Sequence, residues 1–411
     1  MKNSNPSRGG GNPRVLIYCQ DSFGLGHLRR NVNIAHEISR QCPEATILFI
    51  ADSPLAPFFA LPANSDFVKL PTIVKVNAGD WEVHRLPLIG TQQLMSIRSQ
   101  LIKETARSFR PNIVLVDHMP HGAQGELVPC LDTLRDTSPD ALIVIGLRDI
   151  LGAPEDIVPQ WKARGAYDLI ADYYDVVLVY GCQDVYDFGA AYEFPAALDE
   201  KIQYCGYVSA EKKHYPRAAA KIAMEFTEER EYTALVMGGG GSDAYFFMDT
   251  MLDAVEYLGP EVPFNTFMLT GPFMPLEERN KLRSKAEGSS VIVKRFRDDS
   301  VKILQLSDLV VSMAGYNTTC EILQFANKAV VIPREGPSAE QTMRARILHD
   351  RGLLYQIHPR DLTPENLAKG ILAQLHGTHP LKRSEIDLDG AAGAARVLLE
   401  SASRKRSEVA A

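Results

Sequence analysis

Along the chain, short runs of β-branched and other apolar residues alternate with stretches whose apolar positions recur at helical spacing. The runs at 15–19, 46–50, 113–116, 142–145 and 176–180 carry the strand signature, and helical patterns at about 27–40 and 92–109 lie among them. These runs are almost wholly apolar, which predicts strands covered on both faces by helices. Strands alternating with helices over short connections predict a parallel, doubly wound sheet. The same grammar restarts at 232–237 and continues through 264–269, 291–293, 309–312 and 329–332, with helices expected at 244–257, 276–286, 316–325 and 340–350.

Between the two series, residues 210–217 are charged, contain Pro216 and lack a strand pattern, so they read as a linker. The expected organisation is a flexible N-terminus at 1–13, a first domain at 14–209, the linker, a second domain at 218–385, and a C-terminal helix and tail at 386–411. The helix is expected over 390–401, with Arg404-Lys405-Arg406 as a solvated end. A length of 411 residues fits two domains at about 100–200 residues each. Two such sheets would face each other across a central cleft, with the chemistry at the carboxyl ends of the strands.

Composition narrows the function classes. Hydrophobic residues make up 45% and charged residues 23%, as in ordinary globular chains. The net charge of −7 argues against nucleic acid as a partner. No apolar stretch approaches the roughly 18 residues that cross a bilayer, and residues 1–14 have no apolar core of a signal peptide. The six cysteines form no C-x-x-C pair and several sit in apolar runs, which suits buried thiols in a cytoplasmic protein.

Four loops follow predicted strands and lead into helices. Gly24-Leu25-Gly26-His27 lets backbone approach a ligand at a helix N-terminus, with Arg30 one turn on. His27 there can act as a general base near neutral pH, or simply tie the helix start to backbone. A dinucleotide fingerprint would need glycine at position 29, where the chain has Arg29, although Asp52 ends the next strand as that reading requires. Gly238-Gly239-Gly240-Gly241-Ser242 suits a diphosphate, since so many glycines are costly in a purely structural turn. Gly315-Tyr316-Asn317-Thr318 opens a helix carrying Glu321, which either binds a ribose-like diol or is a solvated glutamate. Glu340-Gln341 can hold sugar hydroxyls or be a capped helix start behind Ser338. Asp117-His118-Met119-Pro120-His121 follows a strand without the further ligands a zinc site needs, and Arg148-Asp149 ends another strand, either lining the cleft or forming a salt-bridged loop.

Together these loops resemble the GT-B glycosyltransferases of family 28, typified by the lipid-linked N-acetylglucosaminyltransferase of peptidoglycan synthesis. The resemblance covers nearly the whole chain and is most specific over 235–350. It implies two Rossmann-like domains, with an acceptor-side first domain and a second domain that holds a UDP-sugar. Gly24, Gly26 and His27 resemble the family's glycine loop ending in a functional histidine, and Gly239–Ser242 its diphosphate loop. Phe296-Arg297 resembles the uracil-reading stretch, Glu321 matches the ribose-binding glutamate, and Glu340-Gln341 matches a Gln-Gln pair holding the donor sugar, with glutamate at the first position here. The implied reaction transfers a hexose or N-acetylhexosamine from UDP-sugar to an acceptor hydroxyl, inverting and without metal or other cofactor. His27 is the implied base, with Asp117 or His118 as alternatives, and Arg30, His121, Arg148 and Asp149 lie on the acceptor side. The implied acceptor is a glycan, a lipid-linked sugar or a small molecule, with peripheral membrane contact in the lipid case. No exposed apolar or basic patch for a lipid-linked acceptor is legible in the sequence. The first-domain loop followed by a basic residue, with Asp117-His118, also resembles the nucleotide-sugar hydrolases of pseudaminic acid synthesis, where water replaces the acceptor. A nucleotide sensor and an NAD-dependent oxidoreductase are the more distant alternatives.

Overall fold

A computed structural model describes residues 12–20, 26–53, 56, 59–77, 80–83, 86, 88–211, 226, 230–259, 262–377 and 386–410. The chain divides into two units. The first takes in the described residues up to Asp149, Pro154–Val208 and those from Asp389 onward; the second comprises the described residues of Ile150–Ala153 and Ser209–Leu388.

In the first unit, β1 (Arg14–Cys19), β2 (Thr46–Ala51), β3 (Ser65–Lys69), β6 (Ile113–Asp117), β7 (Leu142–Arg148), β8 (Val176–Tyr180) and β9 (Ile202–Tyr204) form one parallel sheet, in the order β3-β2-β1-β6-β7-β8-β9. A separate antiparallel hairpin, β4 (Ile73–Asn77) and β5 (Asp80–Val83), intervenes in sequence. The central strands are buried because both faces carry helices; β1, β6 and β8 keep almost every side chain from solvent. Each such leucine or isoleucine contributes about 1.5–3 kcal/mol by leaving water.

The second unit repeats the plan with β10 (Tyr232–Met237), β11 (Phe264–Leu269), β12 (Val291–Lys294), β13 (Leu309–Ser312), β14 (Ala329–Val331) and β15 (Tyr355–Gln356), ordered β12-β11-β10-β13-β14-β15. Its core packs Val236, Met268 and Val311 of the sheet against Phe247 and Met251 of one helix and Leu367 and Ile371 of another.

In both sheets the strand order reverses beside the first strand, between β1 and β6 and between β10 and β13. A crevice opens outside the carboxyl ends of the strands at such a switch point, and ligands bind there. Each unit therefore carries one preformed place for a site.

Two expectations need correction. The C-terminal helix does not stand after the second domain: it runs Gly390–Ala410, belongs to the first unit and packs on the helix Gly26–Gln41. Gly390 and Gly393 have no room for a Cβ beside the backbone of Gly206 and Cys205, which lets the helix close in. The basic end is not simply solvated either, because Lys405 donates to Asp175 Oδ2 at 2.7 Å and to the Ala141 carbonyl at 2.8 Å. Most of the expected linker, 212–217, lies outside the described residues. No helix among the described residues is long and apolar enough to cross a membrane.

Candidate active site

The first cluster sits at the switch point of the first sheet. Gly24 lies outside the described residues, while Gly26 starts the helix after β1. His27 follows it, and its Nδ1 stands 2.5 Å from Oδ2 of Asp117, the last residue of β6. The register explains the meeting, since Cys19 and Asp117 pair across β1 and β6, so the helix start and the strand end share one edge of the sheet.

One turn further, Arg30 Nη2 donates to Asp117 Oδ1 at 2.6 Å and Oδ2 at 2.9 Å, with both side chains buried. Burial opposes ionisation of Asp117, but the Arg30 guanidinium and His27 outweigh it and hold the carboxyl well below the usual carboxylate range. Arg30 also lies over the ring of Tyr180, 4.8 Å from its centroid. Gly146 on β7 makes this possible, because any Cβ there would collide with the Tyr180 hydroxyl.

His118 takes a left-handed backbone, φ 73°, with its N–H bonded to the Gly146 carbonyl at 2.8 Å. That conformation costs about 1–2 kcal/mol for a residue with a side chain, and histidine tolerates it better than most. It sets the ring 5.2 Å from that of His27. Burial, with the charge of Arg148, pushes the His118 imidazole well below its ordinary value, so it is neutral at pH 7. Asp149 is buried beside Gly181. His121 is held elsewhere, through Nε2 to the Arg164 carbonyl at 2.9 Å.

Asp52 does not lie ready for a ribose, as the dinucleotide reading required. It is fully buried, accepts from Gln20 Nε2 at 2.9 Å and faces Arg98 at 3.6 Å. Arg98 also grips both carboxylate oxygens of Glu126, at 2.6 and 2.7 Å. Sequence reasoning missed this network and Gly146. The available signal was Arg98 falling between Leu94 and Ile102 on the buried stripe of its helix. On the outer face of that helix Ile97 and Leu101, 37% and 39% exposed, line a shallow groove with Ser96, Gln100 and Thr105.

The second cluster occupies the switch point of the second sheet. Gly239 and Gly241 have φ of 60° and 89°, and Gly271 beyond β11 has 91°. A Cβ on Gly271 would sit 2.6 Å from the Gly240 carbonyl, and Phe273 donates its N–H to that carbonyl at 2.9 Å. The loops after β10 and β11 are thus locked together while Gly239 and Gly240 stay exposed. A Cβ on Gly239 would lie 3.5 Å from Thr318 Oγ1, so the turn runs beside the helix that Gly315 caps and that contains Asn317. An exposed glycine backbone beside a helix N-terminus suits an anion. Ser242 is exposed, and its neighbour Asp243 pairs with Arg334 at 2.6 Å.

Glu321 is 2% exposed, so it is not the solvated glutamate of the alternative reading. Phe296 is 57% exposed, whereas Arg297 is clasped by Asp299 through two bonds of 2.9 Å. Glu340 pairs with Arg344 at 2.9 Å, and Arg344 also reaches the Ala314 carbonyl at 3.0 Å. Gln341 Oε1 accepts the Arg334 N–H at 3.3 Å, and Ser338 Oγ accepts that of Glu340 at 3.2 Å, while Ala339 at the cap position itself makes no side-chain cap bond.

Residues 233–395 match the model of the glycosyltransferase family 28 C-terminal domain. A UDP-N-acetylglucosamine--N-acetylmuramyl-(pentapeptide) pyrophosphoryl-undecaprenol N-acetylglucosamine transferase of Bacillus cereus is 27% identical over 154 residues, 37% of this chain and 42% of that protein. The match thus spans about two fifths of that relative's length. Among solved structures, Acinetobacter baumannii MurG superposes with a TM-score of 0.55 at 15% identity, covering 96% of this chain and 99% of that one. A putative UDP-N-acetylglucosamine 2-epimerase of Listeria monocytogenes gives 0.61 at 13% identity, covering 97% and 98%. The chain has the GT-B fold of these structures, and the part of it that resembles the glycosyltransferase family 28 C-terminal domain is residues 233–395.

Proposed function

We propose that this protein is a glycosyltransferase that moves a hexose or N-acetylhexosamine from a UDP-sugar to an acceptor hydroxyl. The observation that carries the reading is the exposed Gly239–Gly240 backbone beside Thr318 at the switch point of the second unit, within the stretch that matches the family 28 C-terminal domain.

In this reading the turn and the adjoining helix N-termini stabilise the charge that builds on the leaving diphosphate, without a metal. Phe296 offers its ring to the base, Glu321 accepts from the ribose hydroxyls, and Glu340 with Gln341 contacts the sugar. Asp117 is enclosed by Arg30 and His27, so its part is to orient His27. Donation of Nδ1–H to Asp117 puts the lone pair of His27 on Nε2. His27 then takes the acceptor proton, the acceptor oxygen forms the bond to the anomeric carbon, and the bond to UDP breaks with its electron pair on the diphosphate. Attack from the opposite face inverts that carbon.

A screen of UDP-sugars for UDP release, with and without acceptor hydroxyl compounds, tests the reading. Release that depends on acceptor and yields a conjugate supports it. Release with free sugar alone would make the protein a hydrolase, and no release together with no UDP binding would refute both.

A further inference from the structure

Charged and titratable groups meet His27 directly or through its neighbours. Its own helix supplies Arg30, whose Nη2 lies 3.1 Å from His27 Nδ1; β6 supplies Asp117 and His118. From β7, Arg148 acts on His118, and from β8, Tyr180 faces Arg30 and Asp117, with the Cys205 thiol beyond it. A buried carboxylate 2.5 Å from an imidazole, acting alone, favours the doubly protonated ring, which cannot accept a proton. A second-site cation that consumes the carboxylate's charge relieves this, while leaving one oxygen to take the Nδ1–H.

We propose that Arg30 is the positioning residue that keeps His27 a base: it shares Asp117 with the imidazole and confronts the ring with a fixed positive charge, so that Asp117 orients His27 without saturating it with protons. This rests on reading His27 as the base and adds what tunes it. The surroundings hold Arg30 for that task. One guanidinium nitrogen binds both oxygens of Asp117, the Tyr180 ring covers the group, and Gly146 clears the space that Tyr180 needs. An arginine retains its charge when buried, whereas a buried lysine readily loses it. On the sequence, Arg30 lies four residues before Ile34 and eight before Ile38, on the buried stripe of the helix, where a charge needs a partner.

The test follows the His27 ring resonances through a pH titration in ligand-free protein, native and Arg30→Gln. Loss of the cation should move the His27 midpoint to higher pH by about one unit, and the acid limb of kcat/KM should follow it. Arg30→Gln leaves Asp117 buried with a single partner and can fail to fold, so the same comparison is made in the Asp117→Asn background, where the double variant buries no unpaired charge. Adding Arg30→Gln there should again raise the midpoint. An unchanged midpoint in whichever pair folds overturns the proposal. If the midpoint moves but His27→Ala retains full turnover, the charge relationship stands and the assignment of His27 as base falls.

Discussion

Glu340 Oε1 meets Arg344 Nη1 at 2.9 Å, one helical turn apart and both buried. Removing one partner of a buried pair strands the other, so Arg344→Met should cost about 3–5 kcal/mol. Glu340→Gln keeps an oxygen for Arg344 and should cost only about 1–3 kcal/mol. Urea denaturation of both variants checks the order; equal losses would mean that the pair is not coupled.

His27→Ala should lower kcat at least about 100-fold, the low end for a lost general base, with donor binding nearly unchanged. Arg30 still pairs with Asp117 in this variant, so the fold is kept. Turnover close to native would remove His27 from the reaction.

Gly239 and Gly241 differ in what surrounds them. A Cβ on Gly241 runs into the Thr270 carbonyl oxygen, whereas on Gly239 the nearest atom is Thr318 Oγ1 at 3.5 Å. Gly241→Ala should therefore destabilise the second unit severely. Gly239→Ala should fold with about 1–2 kcal/mol of backbone strain and bind UDP at least about tenfold more weakly, a loss of about 1.4 kcal/mol. Thermal scans and calorimetry separate the two effects, and native UDP affinity in Gly239→Ala would remove the anion role.

Glu321→Ala should weaken UDP binding about 10- to 100-fold, the loss expected for charge-assisted hydrogen bonds. Calorimetry with UDP and with uridine-free pyrophosphate localises the loss to the nucleoside. Equal affinity for UDP in native and variant protein would contradict the ribose assignment.

His118 makes stability pH-dependent. The unfolded imidazole takes up a proton below about pH 6.5, while burial and Arg148 keep the folded one neutral. The unfolded state then binds more protons as pH falls, so stability is fully present above about 6.5 and declines below it. Asp117, also depressed when folded, adds a similar loss only below about pH 4. Urea midpoints at about pH 7.5 and 5 should fall less in His118→Asn, which tolerates the left-handed backbone. Parallel falls would refute the assignment.

The central strands were legible because they are mainly apolar and run into polar or glycine-bearing loops; Tyr232–Met237, Phe264–Leu269 and Leu309–Ser312 coincide with the expected runs. The edge strand Ser65–Lys69 was not, since its burial is partial and its pattern broken by Asp66. His27 and Asp117 could each be singled out as strand-end residues, but their meeting depends on the register of β1 with β6 across 90 residues, which no local pattern encodes. Buried Arg30 and Arg98 defeat pattern reading for the opposite reason, because charge at those positions signals solvent until a partner is known.

The return of the C-terminal helix to the helix Gly26–Gln41 makes the second unit an insertion within its neighbour. During synthesis the inserted unit can complete its own sheet while the enclosing one still awaits the segment that shields Asp175 and the start of β7. The earlier-translated unit is thus the later to mature, and no single proteolytic cut releases the two halves intact.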